Sequence, residues 1–227
     1  MIVAVVSQKG GVSKSSLTCA IAWELHARGS SVLVVDADPQ GTVRQSGQVS
    51  ADEGRAMPTI VAMGETMFRP DQLPRLARSY DHVIVDTPGR SDEVQRAALM
   101  VADLALIPCG QSAPDGWATV PTVELVQRAQ RARPDLAVAL VLTMCLPRTV
   151  VGRSARDVVA EAGIPVLSAS TTHRIAWQEA LAAGVGVAQY APHDKAADEA
   201  RAVVDELLVL TGEKQARKRR TTKRKGS

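Results

Sequence analysis

The sequence predicts an α/β fold, a mostly parallel β-sheet flanked by helices on both faces. Three observations lead there. Short runs rich in Val and Ile recur at 2–6, 31–36, 82–86, 104–108 and 137–143. These runs are continuously apolar rather than alternating, so both faces of each strand must be covered, as in a parallel sheet between helical layers. Longer segments with helical spacing lie between them, so strand and helix take turns along the chain.

Taken in order, the first run is a buried strand that opens into a Gly-containing stretch and then a helix at 15–28, which stops at Arg28-Gly29. The second strand ends in Asp36. Residues 41–74 hold several Gly and Pro with little periodicity, and short helices and surface loops of the same domain are expected there. Strand 82–86 precedes a helix at 92–102, and strand 104–108 a helix at 116–131. Strand 137–143 precedes helices at 154–162, 174–183 and 195–210. Residues 1–212 are therefore expected to form one domain. Residues 213–227 form a basic tail, with too few apolar groups to offset the entropy of ordering, and are expected to be disordered when free.

Composition narrows the function. Of the 227 residues 45% are hydrophobic, which supports a core, while only 3% are aromatic, which argues against base recognition by stacking. Cys19, Cys109 and Cys145 are far apart, which argues against a sequence-local zinc or iron–sulfur site and fits a reducing cytoplasm. No run of 18 apolar residues exists and the N-terminus lacks signal-peptide features, so neither a membrane span nor secretion is expected. His26, His82, His173 and His193 are scattered, and no Ser/His/Asp set is evident. The net charge of +3 conceals an asymmetry: eight of the 27 Lys and Arg lie in 214–227, which has no Asp or Glu, so the body is net acidic. An acidic body with a cationic tail points to a polyanion for the tail alone.

The strongest motif is Ser7-Gln8-Lys9-Gly10-Gly11-Val12-Ser13-Lys14-Ser15-Ser16, between the first strand and the first helix. Glycines let backbone N–H groups turn toward phosphates, and the helix N-terminus adds partial positive charge. Lys14 is placed to reach the β and γ phosphates of a nucleotide, and the Ser15 hydroxyl to coordinate Mg²⁺. Gln8 and Ser13 occupy the two Gly positions of the general GxxxxGK[ST] pattern.

The run KGGVSKSS resembles the deviant Walker A loop of the ParA/MinD group of partition and positioning ATPases. That resemblance implies that ATP is held by Lys9, Gly10, Gly11, Val12, Ser13, Lys14, Ser15 and Ser16. It also implies an ATP-sandwich homodimer in which Lys9 reaches the partner's nucleotide, much as an arginine finger does. Ser13 departs from the family's Gly, at a cost of about 1 kcal/mol if the backbone there has φ > 0. Asp36-Ala37-Asp38-Pro39-Gln40 resembles the family's DxDPQ segment, which implies that Asp38 orients the attacking water and that Asp36 belongs to the Mg²⁺ surroundings. Without the family, two Asp before a Pro also make a turn and a helix cap. The apolar strand ending in Asp86 reads as Walker B, with Asp86 on Mg²⁺, and Thr87-Pro88-Gly89 resembles the switch that senses the γ-phosphate. Further resemblance, running to about residue 211, suggests adenine contacts around Thr143, Met144 and Pro192.

The tail lacks the apolar residues of a membrane-binding amphipathic helix, so non-sequence-specific DNA is the expected surface rather than a membrane. The expected contacts are Lys214, Arg217, Lys218, Arg219, Arg220, Lys223, Arg224 and Lys225, with Arg153, Arg156, Arg174 and Arg201 as candidates on the body. Because the phosphate loop begins at residue 7, no preceding DNA-reading domain is expected. The whole resembles short plasmid-partition ATPases, which implies a cytoplasmic, nucleoid-associated protein working with a ParB-like centromere-binding or adaptor protein. Two alternatives stay open: a positioning ATPase for a non-DNA cargo, and a nucleotide-gated DNA-binding module with negligible turnover.

Overall fold

Alternate residues of each central strand face opposite sides of one sheet, and both sides are apolar. In the computed structural model, which describes residues 1–146, 160 and 163–212, Ala4 and Val6 pack into one core and Val3 and Val5 into another. The strands are β1 (Ile2–Val5), β2 (Val32–Asp36), β3 (Thr59–Ala62), β4 (His82–Asp86), β5 (Leu104–Cys109), β6 (Ala137–Cys145) and β7 (Val166–Thr172). They form a seven-stranded sheet in the order β3-β2-β4-β1-β5-β6-β7, and every pairing is parallel.

One face is covered by α4 (Asp92–Leu99), α5 (Ala113–Ala132) and the buried side chains Met67 and Leu73. The other is covered by α1 (Lys14–Ala27), through Leu17, Ile21 and Leu25, and by the C-terminal helix Lys195–Leu210, through Val203, Val204 and Leu207. α2 (Thr42–Asp52) adds Val43 to that layer. α3 (Leu73–Leu76), α6 (Ala176–Ala182), α7 (Val187–Tyr190) and the C-terminal helix, α8, complete the α-helices among the described residues. A smaller cluster of Ala20, Ala176, Trp177, Ala180 and Val187 joins α6 and α7 to α1.

Two strands lie outside the five apolar runs, and both are sheet edges. β3 falls within 41–74, where only helices and loops are expected. Its pattern is half exposed, because an edge strand with one covered face needs no continuous apolar run. β7, with Ser168, Ser170, Thr171 and Thr172, escapes an apolar-run reading for the same reason. α5 starts three residues before the expected 116, because a Ser112–Asp115 capping box initiates it. Apart from Ala160, the helix expected at 154–162 lies outside the described residues, as do Arg153, Arg156 and all eight tail cations.

β1 is the point from which the sheet grows both ways: β4, β2 and β3 on one side, β5, β6 and β7 on the other. A crevice opens at the carboxyl ends of the strands at such a switch point, and side chains that follow β1, β2 and β4 meet there.

Candidate functional site

The segment after β1 wraps over the start of α1. Gly11 has φ 73° and Ser13 has φ 63°, ψ 27°, both left-handed. Ser13 therefore occupies the conformation in which a side chain costs about 1 kcal/mol relative to Gly. It is the N-cap of α1, yet its hydroxyl caps nothing, and the first turn carries no acid. By contrast, α4, α5 and α8 begin with side-chain caps from Ser91, Ser112 and Asp194. The first N–H groups of α1 are thus left for an external acceptor, and an anion is the matching one.

Lys14 is buried beside this loop, and its Nζ donates to the Lys9 carbonyl at 3.3 Å. Burial pulls its pKa below the usual lysine value, against the fields of Asp86 and Asp38, which favour the charged form. The next residue, Ser15, donates its hydroxyl to Asp86 at 2.7 Å, and Thr18, one turn on, donates to the other carboxylate oxygen at 3.2 Å. Asp86 is fully buried, and burial pushes its pKa up to about 7, with the neighbouring Asp36 adding to the rise and Ser15, Thr18 and Lys14 opposing it. A hydroxyl and a carboxylate in contact below a phosphate loop form the donor set that suits Mg²⁺, a hard cation that takes few protein oxygens and completes its shell with phosphate and water. The residues present fit the ion.

Asp36 lies in register with Asp86 on the adjacent strand. Its two oxygens accept N–H groups of its own loop: Asp38 N at 3.1 Å and Arg44 N at 2.9 Å, with Arg44 Nε at 3.4 Å. In this arrangement Asp36 shapes the loop that carries Asp38. Asp38 is half-buried, accepts from Gln40 N at 2.9 Å, and lies close enough to Lys14 to act on its charge. Arg44 was not legible in advance; it also approaches the Asp38 carbonyl at 3.5 Å and stacks its guanidinium against Gly41, where an added Cβ would meet it at 2.8 Å.

Lys9 turns toward α5 and forms an ion pair with Asp115 of the same chain. The Ser112-x-x-Asp115 pattern signals the helix start in sequence, but nothing there signals the lysine. Lys9 and Ser112 together hold the Asp115 carboxyl below its ordinary value, outweighing the upward push of burial.

Beside the loop is a pocket of about 410 Å³, counted to its open mouth. Ser13, Ser16, Thr143, Met144, Arg174 and Trp177 line it, so two of the three residues expected at a base meet here. Thr143 donates to the Val12 and Cys109 carbonyls, both at 3.3 Å, and Met144 has φ 53°, the other left-handed residue besides Ser13 that is not glycine among those described. Pro192 is exposed and does not line this pocket; its carbonyl accepts from Arg201. Arg174 is held by Thr172 at 2.8 Å and Glu199 at 3.6 Å, and Arg201 pairs with Asp198 at 3.2 Å.

Comparison with known proteins bears on the family and the fold. Residues 3–185 match the model of the CobQ/CobB/MinD/ParA nucleotide binding domain. The chain is 33% identical over 208 residues to the maintenance of carboxysome distribution protein A of Halothiobacillus neapolitanus, covering 90% of this chain and 95% of that one. It is 27% identical over 241 residues to the chromosome-partitioning ATPase Soj of Thermus thermophilus, covering 93% and 96%. Its fold is similar to that of the septum site-determining protein MinD of Pyrococcus horikoshii, solved with Mg-ADP, at a TM-score of 0.71 and 19% identity, over 91% of this chain and 95% of that one.

Proposed function

This chain belongs to the CobQ/CobB/MinD/ParA nucleotide-binding family, and from that premise we propose that it is a positioning ATPase of the ParA/MinD type. It binds and hydrolyses Mg-ATP, dimerises on ATP, and uses the nucleotide state to govern its hold on DNA. The observation that carries this reading is the Ser15–Asp86 contact at 2.7 Å beneath an uncapped helix start, with Lys14 beside it.

Each residue has a role in that cycle. The α1 N–H groups and Lys14 bind the phosphates, and Ser15 and Asp86 hold Mg²⁺, which when bound neutralises phosphate charge. Asp38 orients the attacking water at the mouth of the site. Lys9 leaves Asp115 and acts on the partner's nucleotide in the dimer. Catalysis here is positioning and charge stabilisation. Residues 214–227 neutralise DNA phosphates.

The cargo has two readings. Identity to the Halothiobacillus protein, named for carboxysome distribution, supports a protein compartment moved over DNA. Identity to Soj, named for chromosome partitioning, supports DNA as the cargo, with a ParB-like partner. Turnover stimulated by an adaptor that binds a compartment favours the first; stimulation by a sequence-specific DNA-binding protein favours the second.

The test is binding to a random-sequence duplex, followed by fluorescence anisotropy with ATP-Mg²⁺, with ADP-Mg²⁺ and without nucleotide, at two salt concentrations. Tight, salt-sensitive binding with ATP alone is expected. Equal binding in all three states would make the DNA contact constitutive and defeat nucleotide gating. Lys14→Ala should lose ATP affinity by 100-fold or more, about 3 kcal/mol, and retained affinity would defeat the phosphate-loop assignment. Asp38→Ala should bind ATP without turning it over.

A further inference from the structure

Gln95 is wholly buried on α4, yet it is polar and its Oε1 has no partner among the described residues. Burying an amide costs free energy unless its hydrogen bonds are made, so packing alone does not account for glutamine here. Its Nε2 donates to the Pro88 carbonyl at 2.7 Å and to the Ser7 carbonyl at 3.2 Å. Two carbonyls facing one terminal atom require that atom to be the nitrogen.

Both carbonyls lead to Lys14. Pro88 precedes Gly89, whose hypothetical Cβ would stand 3.4 Å from Lys14 Nζ and 3.7 Å from Gly10 N and Cα. On the other side, Lys9 N donates to Ser7 Oγ at 3.2 Å, and the Lys9 carbonyl accepts from Lys14 Nζ at 3.3 Å. A second tie runs from the Thr87 hydroxyl to the Val5 carbonyl at 2.7 Å. Asp92, at the start of α4, accepts from Gln8 Nε2 at 2.6 Å, so the helix grips the loop at two points.

We propose that Gln95 is a positioning residue that locks the start of the phosphate loop to the switch segment at 87–89, so that the two respond as one body to the terminal phosphate. This rests on the nucleotide reading above. The clamp sets the preference for triphosphate over diphosphate and the rate of turnover, while Gln95 itself touches neither nucleotide nor metal. Without it, Gly89 drifts relative to Lys14 and Gly10, and the site recognises a phosphate chain without registering its length.

The unmodified chain is titrated first with a non-hydrolysable ATP analogue and with ADP, each with Mg²⁺. Affinity for neither overturns the nucleotide reading, and this inference with it. Gln95→Met keeps the side-chain length and removes both donors. A folded Gln95→Met chain should lose about tenfold in the ratio of triphosphate to diphosphate affinity and about tenfold in turnover, with a smaller change in diphosphate affinity. A folded variant with an unchanged ratio and unchanged turnover leaves Gln95 a packing residue and overturns the proposal. Should Gln95→Met fail to fold, hydrogen exchange on the unmodified chain decides. Residues 7–10 and 87–90 should gain protection together with the ATP analogue and lose it together with ADP. Protection of one segment without the other would overturn the clamp.

Discussion

Ser13 holds a left-handed backbone that glycine adopts without penalty, and its hydroxyl caps nothing. Ser13→Gly should therefore stabilise the chain by about 1 kcal/mol and raise the melting temperature by about 2–4 °C, read by calorimetry without nucleotide. No rise would mean that the hydroxyl compensates for the strain. Asp115 gives a pH-dependent case. Its carboxyl, set upward by burial, is pulled below its ordinary value of 3.8 by Lys9 and Ser112. A depressed carboxylate contributes stability above its unfolded pKa and loses it as pH falls through the folded one. Asp115→Asn should be less stable by about 1 kcal/mol at pH 7, and the gap should close as pH is lowered below about 4, measured by urea titration at pH 7 and at pH 3. A gap that stays constant would remove the ion pair from the account. The placement of Lys14 and Ser15 at the start of α1 and of Asp86 at the end of β4 was readable in the sequence, because a glycine turn before a helix and an acid where an apolar run stops are local patterns. Asp115 was not: it is 106 residues from Lys9, and only the parallel sheet brings α5 alongside the loop.

At the scale of elements, the central strands were plain and the edges were not. A strand covered on both faces must be apolar throughout, whereas β3 and β7 meet solvent or polar groups on one side. β7 is also a sheet edge, and its outward N–H groups need acceptors. α8 supplies them: Glu206 accepts from Ser168 N at 2.9 Å and Ala169 N at 2.6 Å, and Glu199 from Thr172 N at 2.9 Å and Thr172 Oγ1 at 2.7 Å. Glu206→Ala should destabilise the fold by about 2 kcal/mol, since hydrogen bonds to charged groups are worth about 1.5–3 kcal/mol. It should also increase aggregation, followed by light scattering during the melt. A loss under about 0.5 kcal/mol would show that the edge is satisfied by water instead. The service of Glu199 and Glu206 to β7 depends on how α8 lies across the sheet.

For the whole molecule, charge is divided between an acidic body and a cationic C-terminal stretch. Removing residues 214–227 turns the net charge of +3 negative. The truncated chain should keep its melting temperature and ATP affinity, lose DNA affinity, and show a flatter dependence on salt, measured by anisotropy across a salt series. An unchanged salt slope would move the DNA contact to the body, where Arg174 lines the pocket and Arg201 donates to the Pro192 carbonyl. No helix among the described residues is long and apolar enough to cross a membrane. The sequence by itself determined the α/β class, the phosphate loop and the carboxylates at the ends of β2 and β4. Each depends on local chain chemistry: apolar runs, glycine turns, and one acid placed where a strand stops. Only the tertiary structure decided that Asp36 holds its own loop, that Lys9 rests on Asp115, that Thr143 and Met144 share a pocket that Pro192 does not line, and that Gln95 bridges Ser7 and Pro88. Lys9 and Asp115 lie 106 residues apart and Gln95 and Ser7 88; such partners are set by strand order, which periodicity does not encode.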